Sequence, residues 1–258
     1  MYNDLFSIGK FTIHGYGLMI GLGIAAAYLL AEYRAKKLGL DPDHIFYLLI
    51  FGVVGGLISA KLLYFITIFK EIKNNPRLLL DFSNGFVVYG GIIGGVLSGS
   101  IYCRIKNISI LRYLDLVVPS IALAQGFGRI GCLLAGCCYG LKTSSPFSIT
   151  FVNSHFAPNG IPLIPTQIVS SVFDFCNFLV LLAIAKKDQT TGRLSAFYLI
   201  FYSLGRFFIE FYRGDLIRGT VGFLSTSQFI SLFAALFGFL LLWKSGKTSR
   251  GETKKGAA

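Results

Sequence analysis

Long apolar runs separated by short polar segments dominate the chain. Seven of them approach the roughly 20 mostly apolar residues that a membrane-spanning helix needs. They cover residues 14–33, 45–69, 86–103, 113–134, 167–185, 194–212 and 221–243. The pattern predicts an all-α, polytopic membrane protein with one integral-membrane domain over residues 1–258. The fourth run carries Arg129 and five glycines from Gly126 to Gly140, so it is the one most open to being broken or only partly embedded. Residues 1–10 lack the basic stretch of a cleavable leader, and apolar runs recur to the end of the chain.

The connections differ in charge. One set, with Arg34, Lys36, Lys37, Arg104, Lys106, Arg112, Lys186, Lys187, Arg193 and the tail, holds 14 Lys and Arg. The other set, with Lys10, Lys70, Lys73, Arg77, Lys142, Arg213 and Arg218, holds 7. Positive charge marks the cytoplasmic side, so the N-terminus is expected outside and the C-terminus inside. The longest outside segment, residues 135–166, contains Pro146, Pro158, Pro162 and Pro165 and the turn signal Asn159-Gly160. It predicts a small folded cap with a strand near residues 147–152. Residues 244–258 read as a disordered, basic cytoplasmic tail. Gly52 with Gly56, and Gly91 with Gly95, have the small-xxx-small spacing of closely packed membrane helices.

Composition agrees. Hydrophobic residues make up 54% and charged residues 14%, against about 25% charged in a soluble domain. That excludes a disordered chain, a coiled coil, a disulfide scaffold and an ordinary cytosolic enzyme. The net charge of +12 would suggest nucleic acid in a soluble protein. Here it is read as setting topology, and no nucleic-acid partner is expected.

Three cations stay inside the runs: Lys61, Arg129 and Arg206. A charge in the bilayer costs at least about 2.5 kcal/mol on insertion scales, which makes such residues functional candidates. Tyr202, Arg206, Glu210 and Arg213 fall on one helix face at about 100° per residue. One Glu cannot neutralise two Arg, so a guanidinium is left seeking an anion. Arg129 sits between Gly128 and Gly131, where backbone can approach a ligand closely. Its planar fork of donors suits a phosphate. Lys61 reads either as a third cation or as a snorkelling side chain. The set implies two to four cations with little countercharge, fitted to the head group of an anionic lipid.

At these residues the chain resembles the bacterial prolipoprotein diacylglyceryl transferases. The matching segments are Gly15-Tyr16-Gly17-Leu18-Met19, the glycines Gly90 and Gly91 through Gly95, Gly128-Arg129-Ile130-Gly131 with Gly140, Pro165-Thr166-Gln167, and the stretch from Tyr202 to Arg213. They lie in order across nearly the whole chain. The resemblance implies a multi-pass enzyme of the bacterial cytoplasmic (inner) membrane. Such an enzyme moves the diacylglyceryl group of phosphatidylglycerol to the lipobox cysteine thiol of a preprolipoprotein, forming a thioether, without a metal or other cofactor. It implies catalytic roles for Arg129, Arg206, Tyr16, Tyr202 and Glu210. It also implies substrate binding by Arg129, Arg206, Gly128, Gly131, Gly140, Gly90, Gly91 and Gln167, to which the charges of Arg213 and Lys61 and the hydroxyl of Tyr89 add three further substrate-binding candidates.

The chain departs from the family pattern at several positions. Tyr89 stands where the family usually has His, and Ile164 replaces the His before Pro-Thr-Gln. Cys132 and Cys137 replace an Asn and a Glu. The anion-binding half is thus kept while the proton-handling half is changed. One alternative is a paralogue that binds or transports an anionic lipid, or acts on a different acceptor. A second is a membrane thiol–disulfide protein built on Cys132, Cys137 and Cys138. The C-x4-C-C spacing is unlike common zinc motifs and has no nearby His. It leaves packing, a disulfide, or a thiolate lowered by Arg129 as readings. Cys103 and Cys176 read as small hydrophobes.

Overall fold

The computed structural model describes residues 4–8, 11–81, 85–215 and 219–255. Lys10 and Arg218, which entered the charge comparison, and residues 256–258 of the tail lie outside them. All seven apolar runs fold as helices: α1 (Gly15–Lys37), α2 (Asp43–Thr67), α4 (Val88–Ile105), α5 (Ile110–Ala135), α6 (Thr166–Lys187), α7 (Arg193–Glu210) and α8 (Thr226–Lys255). A short helix, α3 (Phe69–Asn74), and a 3-10 turn (Pro76–Leu80) follow α2. Three two-stranded antiparallel pairs complete the described elements. They are β1 (Asp4–Ile8) with β2 (Phe11–His14), β3 (Ile149–Thr150) with β4 (Pro162–Leu163), and β5 (Thr220–Val221) with β6 (Leu224–Ser225).

Among the described residues, six helices are long and apolar enough to cross a membrane: α1, α2, α4, α5, α6 and Thr226–Gly246 of α8. Of the seven expected spans only α7 is left out, because Arg193, Arg206 and Glu210 interrupt its apolar sequence. Between 17% and 39% of each apolar window is buried by protein. The remaining apolar surface, such as Phe233, Phe237, Leu240 and Trp243 on α8, is exposed and matches a lipid surrounding. The protein is an all-α, multi-pass membrane protein.

Two expectations change. The fourth run is not broken: α5 is a continuous helix of 26 residues, with Pro119 inside it. Its glycines serve packing. A Cβ on Gly126 would sit 2.6 Å from the Phe175 ring of α6, and one on Gly131 would sit 3.2 Å from Tyr16 of α1. The tail also differs, since α8 continues as helix through residue 244 as far as Lys255.

The chain divides into two compact units, Glu32–Ile110 and the remainder. The first is built on α2 and α4, which approach at glycines. A Cβ on Gly56 would meet the Gly91 carbonyl at 3.2 Å, and one on Gly95 would meet the Gly52 carbonyl at 3.2 Å. Both expected small-xxx-small pairs thus lie in one contact. Beyond them His44 Nδ1 lies 2.7 Å from the Tyr102 hydroxyl, and Tyr47 and Phe51 pack on the same ring.

The second unit holds α5–α8 and most of α1. Val118 and Ala122 of α5 pack with Leu181 of α6 and Leu194 of α7. Asp115 of α5 caps the start of α7: it accepts from the Gly192 amide, from the Ser195 amide at 2.7 Å and from the Ser195 hydroxyl at 2.7 Å. Helix starts leave unpaired N–H donors that favour negative charge. Asp115→Ala is therefore expected to destabilise the protein by about 1–2 kcal/mol, read as a lower thermal midpoint in detergent.

Residues 135–166 form the expected folded cap. Its core is Phe151, Ala157 and Leu163, flanked by Leu133, Tyr139, Ile149 and Ile161. The strand expected near residues 147–152 is confined to Ile149–Thr150, paired with Pro162–Leu163.

Candidate active site

The polar stripe of α7 is present, but its charges are matched differently from the sequence expectation. Arg206 Nη1 lies 2.6 Å from Glu210 Oε2, one helical turn on, and its Nη2 donates to Ser227 of α8 at 2.9 Å. Arg213 turns away to Asp215, donating from Nε at 2.8 Å and from Nη2 at 2.6 Å. Glu210 is 3.9 Å from Arg213 Nε. Arg129 lies 3.9 Å through Nε from Asp174 of α6, beyond hydrogen-bond reach. Each arginine therefore has a carboxylate, which corrects the expectation of little countercharge. The surplus guanidinium expected on α7 is not found, because Asp215 takes up Arg213; the arginine left open is Arg129 of α5. Its Nη1 and Nη2 donors have no hydrogen-bond partner among the described residues, and its side chain keeps 20% exposure.

These groups lie together. Asp174 interacts electrostatically with both Arg129 and Arg206. Arg129 interacts with Tyr202, and Arg206 with Tyr202, Glu210, Arg213 and Arg129. The Tyr202 ring stacks on Tyr198 at 5.8 Å and 17°, and the Tyr198 hydroxyl donates to Gln125 Oε1 at 3.1 Å. Tyr16 of α1 interacts with Arg129 from the side that packs on Gly131.

Beside Arg129, helix α5 ends in a turn that gathers thiols. The Gly136 amide bonds to the Leu133 carbonyl at 3.1 Å and the Cys137 amide to the Cys132 carbonyl at 3.1 Å, with Gly136 at φ 74. This is the Schellman ending, which needs a residue tolerant of positive φ and sets the side chains at its two ends against each other. Those ends are Cys132 and Cys137. Cys138 follows at φ 61, and the three sulfurs lie within 4.8 Å of one another. No two of the five cysteines are joined by a disulfide in this structure. Hydrogen bonds from the Cys132 and Cys137 thiols, with the Arg213 guanidinium alongside, hold the Cys138 thiol well below its ordinary range. The same shared bonds push Cys137 up.

Gln167 and Gly140 serve this turn. At the start of α6 the Gln167 amide donates to the Cys137 carbonyl at 2.8 Å and Thr166 to the Cys138 carbonyl at 2.9 Å. Gly140 is threaded between two backbones. Its amide donates to the Ile164 carbonyl at 3.1 Å, while the Leu141 amide donates to the Tyr212 carbonyl at 2.9 Å and the Gly214 amide to the Tyr139 carbonyl at 3.0 Å. A Cβ at 140 would lie 2.5 Å from the Ile164 carbonyl oxygen. Gly140→Ala must therefore push the backbone at 140 away from Ile164 and Thr166, straining the backbone bonds that tie residues 139–141 to the segment carrying Arg213. A displacement near 1 Å is expected to lower catalytic turnover about 100-fold, measured as initial rate on folded protein.

Of the remaining candidates, all but Gly128 lie in the unit Glu32–Ile110. Lys61 is buried, with its ammonium 4.9 Å from the Tyr64 ring, 5.0 Å from Phe65 and 5.2 Å from Phe86. That is a cation–π setting rather than a snorkelling one. Gly90 and Gly91 are occupied in the α2–α4 contact, where a Cβ on Gly90 would fall 2.6 Å from the Ser59 carbonyl. Tyr89 is in the first turn of α4 and 36% exposed. Gly128 has room, with only Ile20 at 3.7 Å from its Cβ position.

Asp174, Asp215 and Tyr198 were missed by sequence reasoning. Tyr198 lies four residues before Tyr202 and extends the same stripe. Asp174 belongs to a polar face of α6 with Gln167, Ser170, Ser171 and Asn177, all buried.

The family described as prolipoprotein diacylglyceryl transferase matches residues 3–244. A phosphatidylglycerol–prolipoprotein diacylglyceryl transferase of Clostridium tetani is 53% identical over 92% of this chain and 95% of its own. One of Clostridium perfringens, numbered 2, is 51% identical over 93% and 94%. A third, from Clostridioides difficile, is 33% identical over 91% and 92%.

Proposed function

The chain belongs to the prolipoprotein diacylglyceryl transferase family, and we propose that it transfers the diacylglyceryl group of phosphatidylglycerol to the cysteine thiol of a lipobox in a preprolipoprotein. It is a multi-pass enzyme of the bacterial cytoplasmic membrane. The observation that carries the reading is Arg129, a guanidinium within the span with an open fork of donors, beside a second arginine held by Glu210 and Ser227.

The chemistry follows from that arrangement. Arg129 binds the phosphate of phosphatidylglycerol through Nη1 and Nη2. The acceptor thiolate attacks the glycerol carbon, the carbon–oxygen bond to phosphate breaks, and glycerol phosphate leaves with a second negative charge. Donors fixed where charge develops act most strongly on that step, because they need no rearrangement and water is scarce. Arg206 adds positive field from a position locked by two contacts. Tyr16 and Tyr202 flank Arg129 with hydroxyls suited to the phosphate or the leaving oxygen. Gln167 and Gly140 position the Cys137–Cys138 turn and Arg213.

The test is transfer by the purified chain, reconstituted with phosphatidylglycerol and a lipobox peptide and read by mass spectrometry. A diacylglyceryl adduct on the cysteine peptide, and none on its serine counterpart, is expected. No adduct under conditions where the Clostridium tetani relative produces one would overturn the reading.

A further inference from the structure

We propose that Cys132, Cys137 and Cys138 form a binding site for a thiophilic metal ion of the zinc or copper(I) type, and that its open fourth position takes up the acceptor cysteine. The second half rests on the transferase reading above. The first half does not.

Geometry carries the site. Three sulfurs around a tetrahedral ion with bonds of about 2.3 Å stand about 3.8 Å apart. The sulfurs here already lie within 4.8 Å of one another, so small rotations of the side chains close the set. They are held there independently of any ion. The Schellman ending of α5 sets Cys132 against Cys137, while Gln167 and Thr166 fix the carbonyls of Cys137 and Cys138. The donor set is all sulfur, which selects soft d10 ions and disfavours magnesium, calcium and manganese. Three thiolates on a divalent ion carry one net negative charge. Arg213 and Arg129, both in electrostatic contact with Cys138, offset it.

The ligand count points to use rather than scaffolding. Structural zinc sites close with four protein ligands, whereas sites with three keep a position for water or substrate. The substrate assigned above is a thiol, with the same soft chemistry as the three ligands. The family resemblance implies a metal-free reaction, and the three-sulfur turn departs from it.

The step balances without an oxidant. The acceptor thiol gives its proton to water as its sulfur binds the ion. Its lone pair then forms the sulfur–carbon bond, and the electrons of the broken carbon–oxygen bond leave with the phosphate oxygen. The ion keeps its oxidation state.

Cadmium is the probe. The reduced full-length chain in detergent is titrated with cadmium ion, following the ultraviolet thiolate-to-cadmium charge-transfer band. One cadmium per chain is expected. Cys132→Ser, Cys137→Ser and Cys138→Ser, singly, should each weaken binding while helical circular dichroism is unchanged. Absence of the band in the folded wild-type chain overturns the site. Adding lipobox peptide to the loaded chain should increase the band by one further sulfur, and serine peptide should not. No increase overturns the fourth-position role and leaves the site standing. Both readouts are spectroscopic and need no turnover, so failure of the transfer assay is a separate result that bears on the transferase reading alone.

Discussion

Arg129→Gln is expected to lower transfer of the diacylglyceryl group by about 100- to 1,000-fold, the usual cost of removing one donor aimed at developing charge. The substitution keeps a polar side chain but removes both the cation and the fork. Arg129 is singled out by how its neighbours leave it. Arg206 is clamped by Glu210 and Ser227 and Arg213 by Asp215, whereas Asp174 touches only the Nε edge of Arg129, at 3.9 Å. The loss should fall on kcat more than on KM, because phosphate charge grows as the glycerol phosphate departs. Arg129→Lys should recover only part of it: an ammonium restores the charge but not two parallel donors. Initial rates over a range of phosphatidylglycerol fractions in mixed micelles separate the two effects. A variant with wild-type kcat would remove Arg129 from the mechanism.

How far the fold could be read beforehand depends on the range of the interaction. Spans of apolar residues are local properties, and all seven expected helices form. The α2–α4 contact was equally legible, because Gly52, Gly56, Gly91 and Gly95 announce a close approach through spacing alone. Continuity of α5 was not. Gly126 and Gly131 are weaknesses in an isolated helix, and only the Phe175 and Tyr16 side chains arriving from α6 and α1 make them useful. The ion pairs divide similarly. Arg206 with Glu210 follows from helix periodicity, but Arg129 with Asp174 joins α5 to α6 and depends on tertiary packing. The thiol cluster lies between these cases. Cys132 and Cys137 look mismatched for metal by motif spacing, yet Gly136 between them is the signal of a helix ending that brings those two positions together.

Glu210→Ala is expected to be the most destabilising of the charge removals, by about 3–5 kcal/mol, the range for leaving a buried partner uncompensated. The Arg206 and Glu210 side chains are only 12% and 8% exposed, and Glu210 Oε2 faces Arg206 at 2.6 Å with Arg213 at 3.9 Å. Removing the carboxylate leaves Arg206 with the Ser227 hydrogen bond and only the more distant charge of Asp174. Arg206→Ala should cost less, since Glu210 retains the Ser225 hydroxyl at 3.0 Å and the Arg213 contact. The pair Arg206→Met with Glu210→Leu removes both charges and fills the space, so its stability should return close to wild type. Its activity should not, because the positive field beside Arg129 is gone. Thermal midpoints and transfer rates of wild type, Arg206→Met, Glu210→Leu and the pair form a double-mutant cycle. Stability recovered without activity assigns Arg206 to the reaction and Glu210 to holding it. Recovery of both in the charge-free pair would show instead that the ion pair is a packing element of α7, leaving Arg129 to act on the phosphate alone.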